Sequence, residues 1–110
     1  MNRHAVLITN SKMELVEDNS DGDILAFARK LIGCDVVELV GLSSHKGLLV
    51  DEEGWLKPNY LNLVASIMAG LPIGGDALLV GLGPSEIGYL SEDFSKRFVD
   101  AGKGLFESKR

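Results

Sequence analysis

The amino-acid sequence predicts one α+β domain that spans residues 1–110. Its sheet is expected to be small, mixed or antiparallel, with five to six strands built from hairpins and two to three helices packed on it. Two observations lead to this prediction. The length of 110 residues fits one domain, and short strand-like runs follow each other in pairs separated by turn residues. This order favours helices on one face of the sheet over a doubly wound parallel sheet.

The first strands and the first helix are predicted from the N-terminal third. Residues 4–9 are apolar and β-branched, and residues 12–17 alternate loosely, so a hairpin is expected. Ser20 or Asp21 can then cap a helix, which Gly33 ends because a left-handed residue is often needed after the last turn. Four apolar residues recur at helical spacing within it: Ile24, Phe27, Ala28 and Leu31.

A strand and a second hairpin are predicted next. Residues 35–40 form the strand, and a loop carrying His45 follows. The runs 48–50 and 55–57 flank Asp51-Glu-Glu-Gly54, whose final glycine suits a tight turn with positive φ. The sequence therefore predicts a hairpin around this acidic turn.

The C-terminal half predicts a helix, a central strand and a last helix. Asn59 or Asn62 can cap the second helix, and Gly70 can end it. Residues 77–81 are fully apolar, which is typical of a central strand. Ser91, followed by two acidic residues, opens the third helix. One core is predicted from eight side chains: Phe27, Leu31, Val37, Leu49, Val64, Met68, Leu79 and Phe98.

The charge balance argues against nucleic acid as the partner. The net charge is −5 and the pI is about 4.9, with the basic residues scattered outside the C-terminal tail. Nucleic-acid binders usually present a basic face, so no direct nucleic-acid binding is expected. A protein with a basic surface suits this charge better, because opposite fields steer encounter.

The composition also predicts a cytoplasmic protein without a membrane segment. Cys34 is the single cysteine, so no intramolecular disulfide can form, which agrees with a reducing compartment. The N-terminal apolar run is too short for a signal peptide. The weakly charged stretch 60–75 contains polar residues, Pro72 and glycines, so no membrane span is predicted there.

No residue pattern indicates catalysis, a metal or a cofactor. His4, Cys34 and His45 are the only soft metal ligands, and no two of them have a binding spacing. No nucleophile is accompanied by a recognisable base. The sequence therefore predicts a protein that is not an enzyme and holds no cofactor or metal.

The best candidate contact site is the acidic turn with its tryptophan: Asp51, Glu52, Glu53 and Trp55. Three consecutive carboxylates are usually solvated charge, but a basic partner would relieve their mutual repulsion. Trp55 is the only tryptophan. It is either an interface anchor, as tryptophans often are, or a core residue on the sheet, and the sequence leaves both readings open.

The alternative is a small-ligand site at the glycine pairs of the C-terminal half. Gly74-Gly75 and Gly81-Leu-Gly83 could supply backbone donors to a nucleotide-like metabolite, with a homodimer completing the pocket. The dinucleotide-binding pattern needs a third glycine three residues after Gly83, where Glu86 stands. A carboxylate at that place repels phosphate.

Three segments resemble a known family: residues 50–57 (VDEEGWLK), 61–66 (LNLVAS) and 72–81 (PIGGDALLVG). They resemble the domain of unknown function 3846 family, small proteins of phages, plasmids and actinobacterial genomes. Tyr60 stands where the family often has proline, and Leu63 and Val64 stand where basic residues are frequent. The resemblance implies a mobile-element gene and attaches no activity.

Together with the acidic charge, this resemblance gives the leading hypothesis. The protein is expected to be a non-catalytic binding protein of a phage or mobile element. It would modulate or inhibit a host protein, including one of a defence system, in the host cytoplasm by presenting an acidic surface.

Overall fold

The described part of the chain forms six strands and three helices. The computed structural model describes residues 3–20, 22–54, 56–57 and 60–107. The strands are β1 His4–Ile8, β2 Met13–Glu17, β3 Val37–Gly41, β4 Lys46–Asp51, β5 Ala77–Leu82 and β6 Ile87–Gly88. The helices are α1 Ile24–Ile32, α2 Leu63–Ala69 and α3 Glu92–Glu107.

All strand pairs of the sheet are antiparallel, and the strand order is β2-β1-β5-β4-β3. The short strand β6 forms a hairpin with the end of β5. Leu79 of β5 lies between Val6 of β1 and Leu48 of β4, so β5 is central, as its apolar sequence predicts. The predicted α+β class, with a hairpin-built sheet of six strands, is confirmed.

The helices lie on both faces of the sheet, so the predicted one-faced arrangement is wrong. Successive residues of a strand point to opposite faces. Leu79 therefore packs towards α2 and α3, and Leu78 packs towards α1. Both side chains are almost fully buried. The apolar run of β5 reflects burial on two faces, because each face of that strand is covered by a helical layer.

The single predicted core is accordingly two cores. Of the eight predicted side chains, four pack on the α2 and α3 side: Val64, Met68, Leu79 and Phe98. The other four pack on the α1 side: Phe27, Leu31, Val37 and Leu49.

Helix α1 is capped by Asp23 rather than by the predicted Ser20 or Asp21. One carboxylate oxygen of Asp23 accepts the backbone N–H groups of Leu25 and Ala26, at 3.1 and 3.2 Å. The hydroxyl of Ser20 instead donates to Asp18, and Asp21 lies outside the described residues. An aspartate directly before the first helical residue leaves no capping position for Ser20.

The predicted ends of the other helices are confirmed. Asn62 caps α2, and Gly70 ends it with φ of 75°. Asn59, the other predicted cap, lies outside the described residues. The hydroxyl of Ser91 accepts the backbone N–H of Phe94 at 3.1 Å and so caps α3. Gly33 likewise ends α1 with φ of 78°.

The predicted hairpin around residues 51–54 is wrong. Strand β4 pairs with the preceding strand β3, and residues 56 and 57 lie in a turn and a bend rather than in a returning strand. The ladder between the two strands joins residues 37–41 to residues 47–51. The β3–β4 ladder therefore takes the place of the predicted partner.

Gly54 is required for a different reason than the predicted positive φ. Its N–H does donate to the carbonyl of Asp51, at 3.0 Å, so a turn exists. Its φ lies outside the left-handed region. A Cβ atom at Gly54 would lie 2.6 Å from the carbonyl oxygen of Gly74, which leaves room only for glycine.

Candidate functional site

The three carboxylates of the acidic turn have different surroundings. Asp51 is buried, and its side chain accepts the Glu53 N–H at 2.9 Å and the Lys57 ammonium at 2.8 Å. Burial alone raises the pKa of Asp51, but these two hydrogen bonds and the charge of Lys57 outweigh it, so the pKa lies below its ordinary 3.8. Glu52 and Glu53 are exposed. Asp51 therefore holds the turn together and is not available to a partner.

We expect Asp51→Asn to lower the free energy of unfolding at neutral pH, because the ion pair with Lys57 is lost. The folded-state pKa of Asp51 is depressed, so its contribution is present above pH 3.8 and is lost as pH falls through the folded-state value. Urea unfolding at a series of pH values measures this effect. The difference in free energy of unfolding between the native protein and Asp51→Asn should disappear below pH 3.8.

The double variant Glu52→Gln, Glu53→Gln is the matched control. It removes the same kind of charge from two exposed neighbours and should leave stability nearly unchanged at every pH. A loss as large as that of Asp51→Asn would contradict the assignment of Asp51 as the structural carboxylate.

Exposed apolar side chains lie beside this turn. Leu56 is 83% exposed, Ile67 77% and Leu63 59%. We call the following set the α2 patch: Leu56, Leu61, Leu63, Ile67 and Leu71. Residues 60–75 carry no charged side chain, so nothing within this stretch interrupts the patch with charge.

Two backbone contacts place the acidic turn next to the α2 patch. Gly54 packs against the carbonyl of Gly74, and Gly74 in turn forms a β-bridge with Leu61. The N–H of Leu56 donates to the carbonyl of Glu53 at 2.9 Å. The exposed Glu53 is therefore at the border of the patch, and its neighbour Glu52 extends the same acidic edge.

A buried asparagine fixes the segment that carries the patch. Asn62 is fully buried, and its amide nitrogen donates to the carbonyls of Ile8 and Gly75, both at 2.9 Å. Its amide oxygen accepts the Ala65 N–H at 3.1 Å. One side chain thus joins the start of α2 to the end of β1 and to the residues that precede β5.

Further hydrogen bonds hold both ends of this segment. The Tyr60 hydroxyl donates to the Asp76 carboxylate, and burial, followed by this bond, raises the pKa of Tyr60. The hydroxyl of Ser66 donates to the carbonyl of Asn62 at 2.7 Å and accepts the Ile73 N–H at 2.8 Å. The patch is therefore mounted on a fixed backbone.

An apolar cleft continues the patch between α2 and α3. Its volume is about 220 Å³, and Ile67 belongs both to its wall and to the patch. Its lining is almost entirely apolar: Met13, Val64, Ile67, Met68, Phe98, Ala101 and Gly102. Sequence reasoning did not find this surface. The signal that could have found it is the absence of charge over residues 60–75, which exceeds what a short amphipathic helix needs.

Trp55, the fourth residue of the predicted contact site, lies outside the described residues. Of its neighbours in the chain, Gly54 ends the acidic turn and Leu56 belongs to the α2 patch. The prediction for Trp55 therefore stays open between an anchor and a core residue.

The two glycine pairs of the alternative site are far apart. Gly75 precedes β5 and Gly81 lies near its end, so they are separated by about 20 Å of extended chain. Gly75 has φ of 88°, donates its N–H to the Tyr60 carbonyl and accepts the Asn62 amide. The pair Gly74-Gly75 is thus built into the fold and does not join the other pair in one pocket.

Gly81 and Gly83 border a separate cleft of about 410 Å³. Lys46 lies in its wall with its ammonium 4.6 Å from the centre of the Phe94 ring, a cation–π contact. Glu86 also lines the cleft. Because one cation and one carboxylate face the same space, the cleft does not present the positive field that a phosphate group needs.

Two further buried titratable groups, Asp18 and His4, lie at the β1–β2 side of the sheet. Asp18 accepts hydrogen bonds from Ser20 at 2.5 Å and from the Tyr89 hydroxyl. Burial raises the pKa of Asp18, and these bonds more than offset it, so the pKa is lowered. His4 is buried, with its Nε2 atom 3.9 Å from the Glu17 carboxylate.

The Cys34 thiol lies in a partly buried environment. Burial, followed by the charge of Asp51, raises the pKa of the Cys34 thiol, which lowers its reactivity at neutral pH. Within residues 3–20, 22–54, 56–57 and 60–107, no three histidine, cysteine or acidic side chains are gathered where they could hold a metal ion.

No protein-family model, no curated protein and no solved structure matches this chain. The resemblance of residues 50–81 to the domain of unknown function 3846 family therefore stays a prediction. Among the helices in the described part of the chain, none has the length and apolar character needed to cross a bilayer.

Proposed function

We propose that the protein is a non-catalytic binding protein that covers a surface of another protein with its α2 patch and the adjoining acidic edge, Glu52 and Glu53. The observation that carries this proposal is the exposure of large apolar side chains on one uncharged, fixed segment. Single exposed apolar residues are normal, but a contiguous apolar patch marks an interaction site.

The energetics favour a partner over solvent at this surface. Full burial of one leucine or isoleucine side chain contributes about 1.5–3 kcal/mol. The segment is already ordered by Asn62, Tyr60 and Ser66, so binding loses little backbone entropy. A preformed apolar surface of this kind suits rigid docking.

The charges indicate the chemistry of the partner. The acidic edge and the net charge of −5 favour a partner whose apolar contact surface is flanked by lysine and arginine. The resemblance to the domain of unknown function 3846 family favours an origin in a phage or mobile element. The partner would then be a host protein in the cytoplasm, for example a defence protein whose basic surface is blocked.

The experiment is affinity purification from host lysate with the native protein and two variants. Ile67→Ser removes an apolar side chain from the centre of the patch, while Leu25→Ser removes a partly exposed leucine on α1 and serves as the matched control. We expect one specific partner to be retained by the native protein and by Leu25→Ser, and to be lost with Ile67→Ser.

The acidic edge is tested on the purified pair. Glu52→Gln, Glu53→Gln should slow association at low salt and weaken its salt dependence, because steering by the acidic edge is lost. If Ile67→Ser bound the partner as tightly as the native protein, the α2 patch would be excluded as the contact surface. If the glutamine variant associated as fast as the native protein, the acidic edge would be excluded as a contributor to association.

A small-ligand function is the second candidate, because the cleft beside Gly81 and Gly83 has room for a small molecule and an aromatic wall. It predicts that a nucleotide-like metabolite, held through its base and sugar rather than through a phosphate, appears in the supernatant of the heat-denatured protein. Release of such a compound, together with unchanged protein binding by Ile67→Ser, would favour this candidate over the first.

A further inference from the structure

Strand β3 is an edge of the sheet. At its ends, the Val36 carbonyl accepts the Glu52 N–H and the Leu42 N–H donates to the Lys46 carbonyl, both at 3.0 Å. Hydrogen-bonded pairs alternate along an antiparallel ladder, so the even-numbered residues of β3 bond to β4. The N–H and C=O groups of Val37, Leu39 and Gly41 therefore point away from the sheet.

This edge lacks the usual protection against strand addition. Natural edges are guarded by charged side chains, proline or bulges. In β3, Glu38 is the only charged residue, there is no proline, and the register with β4 is continuous. The opposite edge strand, β2, carries Glu14 and Glu17 and packs against α3.

Exposed apolar side chains accompany the open backbone groups. Leu39 is 41% exposed and Val36 is 50% exposed. An added strand would cover part of both side chains as well as pairing the backbone. Apolar burial and main-chain hydrogen bonds would then act together, as they do in strand addition generally.

We propose that β3 pairs antiparallel with β3 of a second copy of this chain, about a two-fold axis at Leu39. In this register Leu39 lies opposite Leu39 of the partner subunit, and Val37 lies opposite Gly41 of the partner subunit. All three outward residues of each copy then donate one hydrogen bond and accept one, so both edges are satisfied.

Charge argues against the neighbouring register centred on Glu38. With the axis at Leu39, Glu38 lies opposite Val40 of the partner subunit, and no like charges face each other. Moving the axis to Glu38 would place two glutamates directly opposite each other at the narrow, non-hydrogen-bonded spacing, which is destabilising. A two-fold contact of one patch with itself is also the commonest symmetry of homo-oligomers.

Disulfide trapping tests the register. In a Cys34→Ser background, Leu39→Cys should form an interchain disulfide under mild oxidation, because a hydrogen-bonded pair has a Cα separation of about 5.5 Å, within disulfide range. Glu38→Cys alone and Val40→Cys alone should stay uncrosslinked, since neither position faces itself. An equimolar mixture of those two variants should give the mixed dimer.

Failure of Leu39→Cys to crosslink would overturn the proposal. Equal self-crosslinking by Glu38→Cys and Leu39→Cys would also overturn it, since random collision does not depend on register. The cysteine changes are small and lie on an edge, so they test the pairing without demanding that a disruptive variant fold.

Sedimentation velocity tests the association itself. The native protein should sediment as a dimer that dissociates on dilution, and Leu39→Lys should sediment as a monomer because two ammonium groups would meet at the axis. Leu25→Lys, at a leucine that is 37% exposed on α1, should stay dimeric. A native protein that is monomeric at every concentration would contradict the proposal. The α2 patch is not involved, so Ile67→Ser should leave the dimer intact.

Discussion

Replacing Asn62 with leucine should lower the free energy of unfolding by about 3–5 kcal/mol, since each buried polar group left unpaired costs about 1–3 kcal/mol. The change removes the hydrogen bonds that Asn62 makes to the carbonyls of Ile8 and Gly75 and to the N–H of Ala65. It also removes the cap of α2. Urea unfolding followed by circular dichroism measures the effect.

Asn62→Asp separates the two roles of this side chain. Aspartate keeps the capping oxygen and the shape but cannot donate to two carbonyls when ionised. We expect its loss of stability at neutral pH to approach that of Asn62→Leu. Ser66→Ala, which removes one hydroxyl from the same segment, should cost less than either. A cost below about 1 kcal/mol for Asn62→Leu would show that these hydrogen bonds contribute little.

Part of this arrangement could be predicted from the sequence, and part could not. The capping role of Asn62 follows from its place before an apolar helical pattern, because capping depends on residues two to three positions away. Its bond to Ile8 spans 54 residues of the chain. No local pattern records which distant carbonyl an amide will reach, so this link depends on the sheet order.

The placement of helices on both faces of the sheet is likewise not predicted by local sequence patterns. The apolar run of β5 indicates that the strand is buried, and that prediction is confirmed. Whether one face or both faces are covered by helices depends on where α1 crosses the sheet. That crossing is a non-local choice, which the order of hairpins and helices leaves undetermined.

For the candidate site, the charge pattern predicts the acidic turn. It does not predict which carboxylate of the turn is buried and which are exposed. Asp51 and Glu52 are chemically similar neighbours, and the bonds to the Glu53 N–H and to Lys57 distinguish the buried carboxylate from the exposed one. The sequence pattern does not predict the α2 patch, because an apolar residue at helical spacing usually indicates core packing. Leu63 and Ile67 show that such residues can lie on the outer face of a short helix.

Leu79→Ala is expected to cost about 2–5 kcal/mol, the range for a fully buried leucine whose removal leaves a cavity. Leu79 is 1% exposed, at the centre of β5, and packs into the core beneath α2 and α3. Leu48 is its cross-strand neighbour in the same core, whereas Leu49 belongs to the core on the α1 side. The structure therefore also predicts how the loss of stability of Leu79→Ala combines with that of Leu48→Ala and with that of Leu49→Ala.

Double variants distinguish two cores from one. Leu48→Ala with Leu79→Ala should depart from additivity by about 0.5–3 kcal/mol, because the two cavities share a wall and the site relaxes once. Leu49→Ala with Leu79→Ala should be additive within about 0.3–0.5 kcal/mol, because the sheet separates the two cavities. Chemical unfolding of the single and double variants gives both coupling energies. Equal coupling energies in the two pairs would mean that the two faces of β5 belong to one core. That outcome would contradict the two cores expected from the alternation of side chains along the strand.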